Sequence, residues 1–358
     1  MSQAHQQVGA PPGRVLIVRP SALGDVCRSV PLLAQLRLAW PGARIDWLVQ
    51  DAFAPAVACH PALTANGGGV VAFARKRFAR LWHPGVALEL AGWLRGLGRA
   101  RYDVAIDAQG LLRSALFARA TGARVRVGEA VAREGASRLY THRVPPCASV
   151  HAVDRMLSLL PALGVAVPAS PDMRLYADPA DRAWAARHAG LAGRFALLAP
   201  TTRWPAKQWP AERYAIVARA LLDRGLVERV VIVGGRGEDA QCPQLLAWAR
   251  GDARALNLLG ATTLGQLMAV VQGAAILVGS DSAAVHMAVG FDRPLVALYG
   301  PTNVARVGPY LRARDVLQHV QPGEALDHKA PGEGSLGRAQ MARIGADEVI
   351  EACAQRLG

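Results

Sequence analysis

The chain has 358 residues, 52% of them hydrophobic and 19% charged, with a formal net charge of +14. That length suits two domains of roughly 150 to 200 residues, and the composition is that of a globular protein, not a disordered one. No apolar run approaches the roughly 18 residues that cross a bilayer, and residues 1–13 carry no signal-peptide pattern, so a cytoplasmic protein is expected. The five cysteines are scattered and form no C-x-x-C pair, which argues against a disulfide framework or a zinc site. The charge is uneven: residues 1–176 hold 21 Lys and Arg against 10 Asp and Glu, net +11, and the remainder holds 20 against 17, net +3. The first half is therefore expected to face something anionic (nucleic acid, a membrane surface or an acidic substrate), the alternative being arginines that only decorate a surface.

In chain order, RVLIVR at 14–19 leads through PSALGD at 20–25 into an apolar-periodic segment from Val26 to Trp40, closed by Pro41 and Gly42. This reads as strand, loop, helix and turn. RIDWLV at 44–49 and DVAID at 103–107 are further strands, the latter running through Ala108, Gln109 and Gly110 into a helix from Leu111 to Ala120. The second half repeats the rhythm with FALLA at 195–199, VVIV at 230–233, AILV at 275–278 and LVAL at 295–298, separated by helical stretches such as Ala211 to Arg224. Strands alternating with helices predict a doubly wound parallel sheet in each half, hence an α/β protein of two Rossmann-like domains. The proline-bearing stretch from Ala166 to Pro179 is the expected hinge. Pro322 to Gly337 reads as a polar, Gly-rich loop ahead of a terminal helix from Ala339 to Arg356. The expected divisions are 1–168, 169–337 and a C-terminal helix within 338–358 that packs back across the domains.

In open parallel sheets, ligands gather at the carboxyl ends of strands, and four segments have that placement. Ser21 to Asp25 follows the first strand; Gly24 permits a tight or left-handed turn, and Asp25 can either accept a proton or cap the next helix. Asp107, Gln109 and Gly110 follow another strand, where Asp107 again has a capping alternative. Thr201, Thr202 and Lys207 follow the first strand of the second half and can hold phosphate through hydroxyls and a mobile ammonium. Lysine is the unusual choice in a chain with 38 Arg and three Lys. Asp281, Ser282 and His286 open a helix whose N-terminus suits pyrophosphate, with Ser282 and His286 on one face, while His286 has the alternative of a hydrogen-bonded core residue.

Several patterns are missing. There is no Walker A loop and no G-x-G-x-x-G after the first strand, which disfavours ATP hydrolysis and dinucleotide redox chemistry. Ala283 breaks the G-x-S-x-G nucleophile elbow. No His, Asp or Glu cluster has metal-ligand spacing, so leaving-group charge falls to Lys207, hydroxyls and helix dipoles.

Together these segments resemble the heptosyltransferases of glycosyltransferase family 9. The likeness rests on residues 14–25, 41–49 and 102–111, on Ala132 to Glu134, and on HAVDR at 151–155. It continues through Thr201, Thr202, Lys207 and Trp209, then 281–286, DRP at 292–294 and LYGPT at 298–302. Each piece is short, and their occurrence in order is what identifies the family. The resemblance implies a GT-B fold, two Rossmann-like domains facing a central cleft, with acceptor on the first and nucleotide sugar on the second. It implies transfer of heptose from ADP-L-glycero-D-manno-heptose to a Kdo residue of the lipopolysaccharide inner core, with inversion and without metal or other cofactor. Asp25 corresponds to the general base. Thr201, Thr202, Lys207, Asp281, Ser282, Ala283 and His286 would hold the donor, with Glu238 on the nucleoside. Ser21, Gly24, Asp107, Gln109, Arg75, Lys76, Arg77, Arg80 and Arg133 would meet the acceptor, the arginines by pairing with Kdo carboxylate or phosphate. A Kdo-lipid A type of acceptor explains the net charge of the first half and implies contact with the cytoplasmic face of the inner membrane, with no nucleic-acid partner. Two departures stand out: the family's Asp-Thr-Gly is Asp281-Ser282-Ala283 here, and its acidic pair after Thr-Thr is replaced by Trp204, Pro205 and Ala206. The alternatives are a family 9 transferase for another nucleotide sugar or another surface glycan, and a non-catalytic nucleotide-sugar or glycan-binding protein.

Overall fold

The computed structural model describes residues 10–80, 82–324, 326 and 333–358. The chain divides into two compact units, Met1–Tyr176 and Ala177–Gly358. In the first, β1 (Arg14–Val18), β2 (Arg44–Gln50), β3 (Gly69–Phe73), β4 (Val104–Asp107), β5 (Val125–Glu129) and β6 (His142–Val144) form a parallel sheet in the order β3-β2-β1-β4-β5-β6. In the second, β7 (Phe195–Ala199), β8 (Arg229–Ile232), β9 (Ala255–Asn257), β10 (Ile276–Ser280), β11 (Leu295–Tyr299) and β12 (Val316–Gln318) are ordered β12-β11-β10-β7-β8-β9, also parallel. Counted from its own first strand, each unit has the same order, with the first strand beside the fourth. The direction of winding reverses between those two strands, and this is where doubly wound sheets bind ligands.

The central strands are uniform apolar runs because helices cover both faces of each sheet. Val15, Leu16, Ile17 and Val18 are fully buried, as are Leu295 to Tyr299. Strands β3, β5, β6, β9 and β12 escaped the sequence reading: they lie at or near the sheet edges, are half-exposed, and so lack a solid apolar run. The segment read as one helix from Val26 is two, Leu23–Arg28 and Val30–Ala39. The break at Ser29 comes just before Pro31, which has no N–H to donate into the preceding turn. Gly24 therefore lies inside a helix, and the turn expected there is an ordinary helical one.

At the C-terminus the helix begins earlier than expected and is divided into Glu333–Ala342 and Ala346–Leu357. The expected loop thus overlaps the first of these helices, and part of it, including residues 327–332, lies outside the described residues. Met341, Ile344, Val349, Ile350 and Cys353 join the hydrophobic core of the second unit. Trp209 Nε1 donates to the Ile344 carbonyl at 3.0 Å. Gly337 lies so close to the turn at Pro205–Lys207 that a Cβ there would sit 2.7 Å from Ala206 Cβ, so this helix buttresses the Lys207 loop.

Candidate active site

All four segments singled out in the sequence fall at the two reversal points. Ser21 to Asp25 follows β1 and Asp107 to Gly110 follows β4, and these strands are neighbours, with Val18 paired to Asp107. Thr201 to Lys207 follows β7 and Asp281 to His286 follows β10, again neighbours, with Ala199 paired to Gly279.

In the first unit the two loops are tied together. The Ser21 N–H donates to Gln109 Oε1 at 3.2 Å, and Gln109 Nε2 donates to Ser21 Oγ at 3.4 Å. Asp25 sits in the first turn of its helix, where its Oδ2 accepts from the Ala22 N–H at 3.2 Å, the returning half of a capping box. Capping is only part of its environment. Arg19 approaches Oδ2 at 3.1 Å, and Arg28, one turn along, donates to Oδ1. Burial favours the neutral acid, but the two guanidiniums and the Ala22 N–H outweigh it and hold the carboxyl well below the usual carboxylate range. Arg19 is itself fixed by a bond to the Ala108 carbonyl beneath the β4 loop. Sequence reading missed both arginines; the available signal was Arg28 three residues after Asp25 on the same helix face.

Asp107 does not fit its expected place among acceptor contacts. It is 1% exposed. Its Oδ1 accepts from the N–H groups of Gln109 and Gly110 at 2.9 and 3.1 Å, and its Oδ2 from Ser114 and Tyr140 hydroxyls at 2.8 and 2.6 Å. Burial, offset by these donors, raises its acid range. With both oxygens doubly satisfied inside the fold, Asp107 shapes the loop that carries Gln109. Arg75, Lys76 and Arg80 are exposed, whereas Arg77 forms an ion pair with Glu89 at 2.6 Å. Arg133 is exposed, and its backbone N–H bonds the Gly110 carbonyl at 2.9 Å, which brings it beside the β4 loop.

In the second unit Lys207 Nζ meets Asp281 Oδ2 at 2.5 Å, and Thr302 Oγ1 donates to the same oxygen at 2.8 Å. Burial again opposes ionisation of Asp281, and Lys207, followed by His286 and Thr302, lowers its acid range regardless. Thr302 follows β11, so three successive loops of the central strands converge here. Ser282 caps the helix Ala283–Gly290 with its backbone but not its side chain, and its buried Oγ has no hydrogen-bond partner among the described residues. His286 is buried one turn further on. Thr201 and Thr202 are buried, and the Thr202 N–H donates to Gln241 Oε1 at 3.0 Å. A Cβ at Gly234 would sit 2.5 Å from Thr201 Oγ1, so glycine is what lets the β8 loop close over Thr201. Glu238 turns back on that loop, Oε2 accepting from the Gly235 N–H at 2.7 Å. Thr302 and Gln241 were not singled out in the sequence as site residues, although Thr302 ends the LYGPT segment that carried the resemblance. Among the described residues no group of three or more His, Cys, Asp and Glu gathers as metal ligands would.

A model of glycosyltransferase family 9 (heptosyltransferase) matches residues 92–331, a range that excludes Asp25 and Arg75 to Arg80. Lipopolysaccharide heptosyltransferase 1 of Pseudomonas aeruginosa is 33% identical over 314 residues, covering 84% of this chain and 82% of that protein. The protein of the same name from Escherichia coli K12 is 29% identical over 313 residues, 83% of this chain and 91% of that protein. The solved structure of E. coli heptosyltransferase WaaC with ADP matches 96% of this chain and 99% of that one with a TM-score of 0.75 at 26% identity. E. coli ADP-heptose lps heptosyltransferase II shares the fold, at a TM-score of 0.74 and 21% identity over 96% of this chain and 98% of that one. With two parallel doubly wound sheets, and a family match over most of its length, this chain belongs to glycosyltransferase family 9 and is a glycosyltransferase of the GT-B fold.

Proposed function

We propose that this enzyme transfers heptose from ADP-L-glycero-D-manno-heptose to a Kdo residue of the lipopolysaccharide inner core, inverting the anomeric centre and using no metal ion. The observation that carries the reading is the Lys207–Asp281–Thr302 cluster at the reversal point of the second unit, next to the Ser282 hydroxyl, which has no partner among the described residues, at a helix N-terminus. Asp281 fixes the ammonium in place, and Lys207 keeps two further N–H donors for phosphate oxygens. As ADP departs, charge accumulates on the diphosphate, and a preplaced ammonium, hydroxyls and helix N–H groups stabilise it more in the transition state than in the ground state. The names of the relatives and the WaaC structure with ADP support the choice of donor.

On the acceptor side, Asp25 takes the proton of the attacking hydroxyl. A carboxylate paired with two guanidiniums is fully ionised but a weak base, so the proton moves late, once the new C–O bond has made the hydroxyl acidic. The net +11 of the first half, with Arg75, Lys76, Arg80 and Arg133 exposed, suits a carboxylated and phosphorylated glycolipid. Such an acceptor places the enzyme at the inner face of the inner membrane.

Thermal unfolding with a panel of nucleotide sugars tests the donor. ADP-heptose and ADP should each raise the midpoint, since a ligand at about 100 times its Kd adds about 2.7 kcal/mol. Stabilisation by a uridine or guanosine sugar, and not by these two, would replace the donor assignment; unchanged transfer in EDTA is the expected result for the metal.

A further inference from the structure

The helix Pro84–Arg99 turns a stripe of Leu90, Trp93, Leu94 and Leu97 onto the core of the first unit. Leu88 lies two residues before Leu90, about 200° around the helix from it, and so points away from that core. It is 70% exposed, and Trp82, just before the helix, is 80% exposed. No core requirement explains either side chain. Both adjoin the basic turn Arg75–Phe78: the Arg77–Glu89 ion pair at 2.6 Å ties that turn to the residue after Leu88, and the His83 N–H bonds the Arg80 carbonyl at 3.1 Å. Glu89 is the one acidic residue between positions 52 and 102, and this ion pair engages it, which leaves Arg75, Lys76 and Arg80 as exposed cations in the same segment as Trp82 and Leu88. An exposed tryptophan and leucine in one segment with three exposed cations match a negatively charged lipid interface: headgroups attract the cations, and the apolar side chains enter the acyl boundary. Among the described residues no helix is long and apolar enough to cross a membrane, so such a contact would be peripheral.

We propose that this face docks on an anionic phospholipid leaflet, with Trp82 and Leu88 entering the interfacial layer and Arg75, Lys76 and Arg80 meeting headgroup phosphates. The choice of partner rests on the reading above, that the acceptor is lipid-linked; the geometry does not. Docking here holds the first unit against the leaflet that supplies the acceptor.

Co-sedimentation with vesicles, without nucleotide sugar or acceptor, tests this separately from the transfer reaction. The full-length protein should bind phosphatidylglycerol–phosphatidylethanolamine vesicles, bind phosphatidylcholine vesicles poorly, and release with rising salt. Replacing Arg75, Lys76 and Arg80 together with Gln should weaken partitioning roughly 100-fold. Trp82→Ser with Leu88→Ser should weaken it roughly tenfold at any salt, with an unchanged unfolding midpoint and unchanged turnover on a water-soluble, deacylated acceptor. Equal binding to neutral vesicles, undiminished binding of the double variant, or no binding at all would overturn the proposal. A changed oligomeric state in the double variant would overturn it too, marking the face as a contact between copies.

Discussion

Asp25 and Asp281 both stand at the reversal point of a parallel sheet, after the first strand in one unit and after the fourth in the other, and both are held ionised against burial by cations. In the proposed reaction their partners divide the labour in opposite ways. Asp25 has two guanidiniums that are anchored in the fold, so the carboxylate is the group left to act, its basicity set by Arg19 and Arg28. Asp281 is gripped by one ammonium and one hydroxyl, so the carboxylate is the anchor and Lys207 is the group left to act. Asp107, at the end of the strand next to β1, shows what an aspartate becomes when no cation among the described residues pairs with it: buried, held by neutral donors, and shifted the other way. All three are aspartates on the carboxyl side of central strands, and they differ in counter-charge.

Removing Asp25 should break the comparison most visibly. Asp25→Ala is expected to keep the fold and donor binding while lowering turnover by roughly 10² to 10⁴, the span for loss of a general base. Near-normal turnover with ADP-heptose and a Kdo acceptor would reduce Asp25 to a helix cap. Next in size is Lys207→Met, which strands the Asp281 carboxylate in a site where each side chain is 11% exposed. It should cost about 3 kcal/mol of stability and roughly 10² in turnover. Adding Asp281→Asn should restore most of the stability and none of the turnover; recovery of both would make the pair purely structural. Arg28→Met has a smaller rate effect, within roughly tenfold, and a distinct signature. With one guanidinium gone, the Asp25 acid range rises, and the acid limb of kcat/KM should move up by about one pH unit. A profile that superimposes on that of the unaltered enzyme would sever Arg28 from the chemistry.

The fold was legible because central strands of doubly wound sheets are solid apolar runs: FALLA at 195–199 matches β7 residue for residue. Edge strands such as His142–Val144, with one buried residue of three, carry no such signal. The loops of the site were legible by the same route, as polar turns after apolar runs. What could not be read was the pairing inside them. Arg19 and Arg28 are two among many arginines until the helix sets Arg28 one turn from Asp25 and the Ala108 carbonyl holds Arg19 against it. Thr302 lies 21 residues from Asp281 and meets it only through the order of β10 and β11. The fate of Asp107 was equally hidden, since Tyr140 reaches it from 33 residues away.

Acid stability separates the aspartates further. Asp25 and Asp281 ionise more readily folded than unfolded, so their ion pairs stabilise the fold above the unfolded carboxylate range, about pH 4, and that contribution is lost as pH falls below it. Asp107 runs the opposite way: its raised folded acid range gives a contribution present in full below about pH 4 and lost as pH rises through the folded value. Tyr140→Phe isolates this carboxyl with the smallest expected effect. It deletes a hydroxyl donor 2.6 Å from Asp107 Oδ2, and one lost hydrogen bond to a buried acceptor costs about 1 to 2 kcal/mol. Because the donor favours the ionised form, its loss should raise the Asp107 acid range, so the destabilisation should grow from acid to neutral pH, and turnover should change by less than about twofold. If turnover instead falls as far as it does in Asp25→Ala, then the β4 loop does more than hold Gln109 in place, and the two aspartates act as a pair.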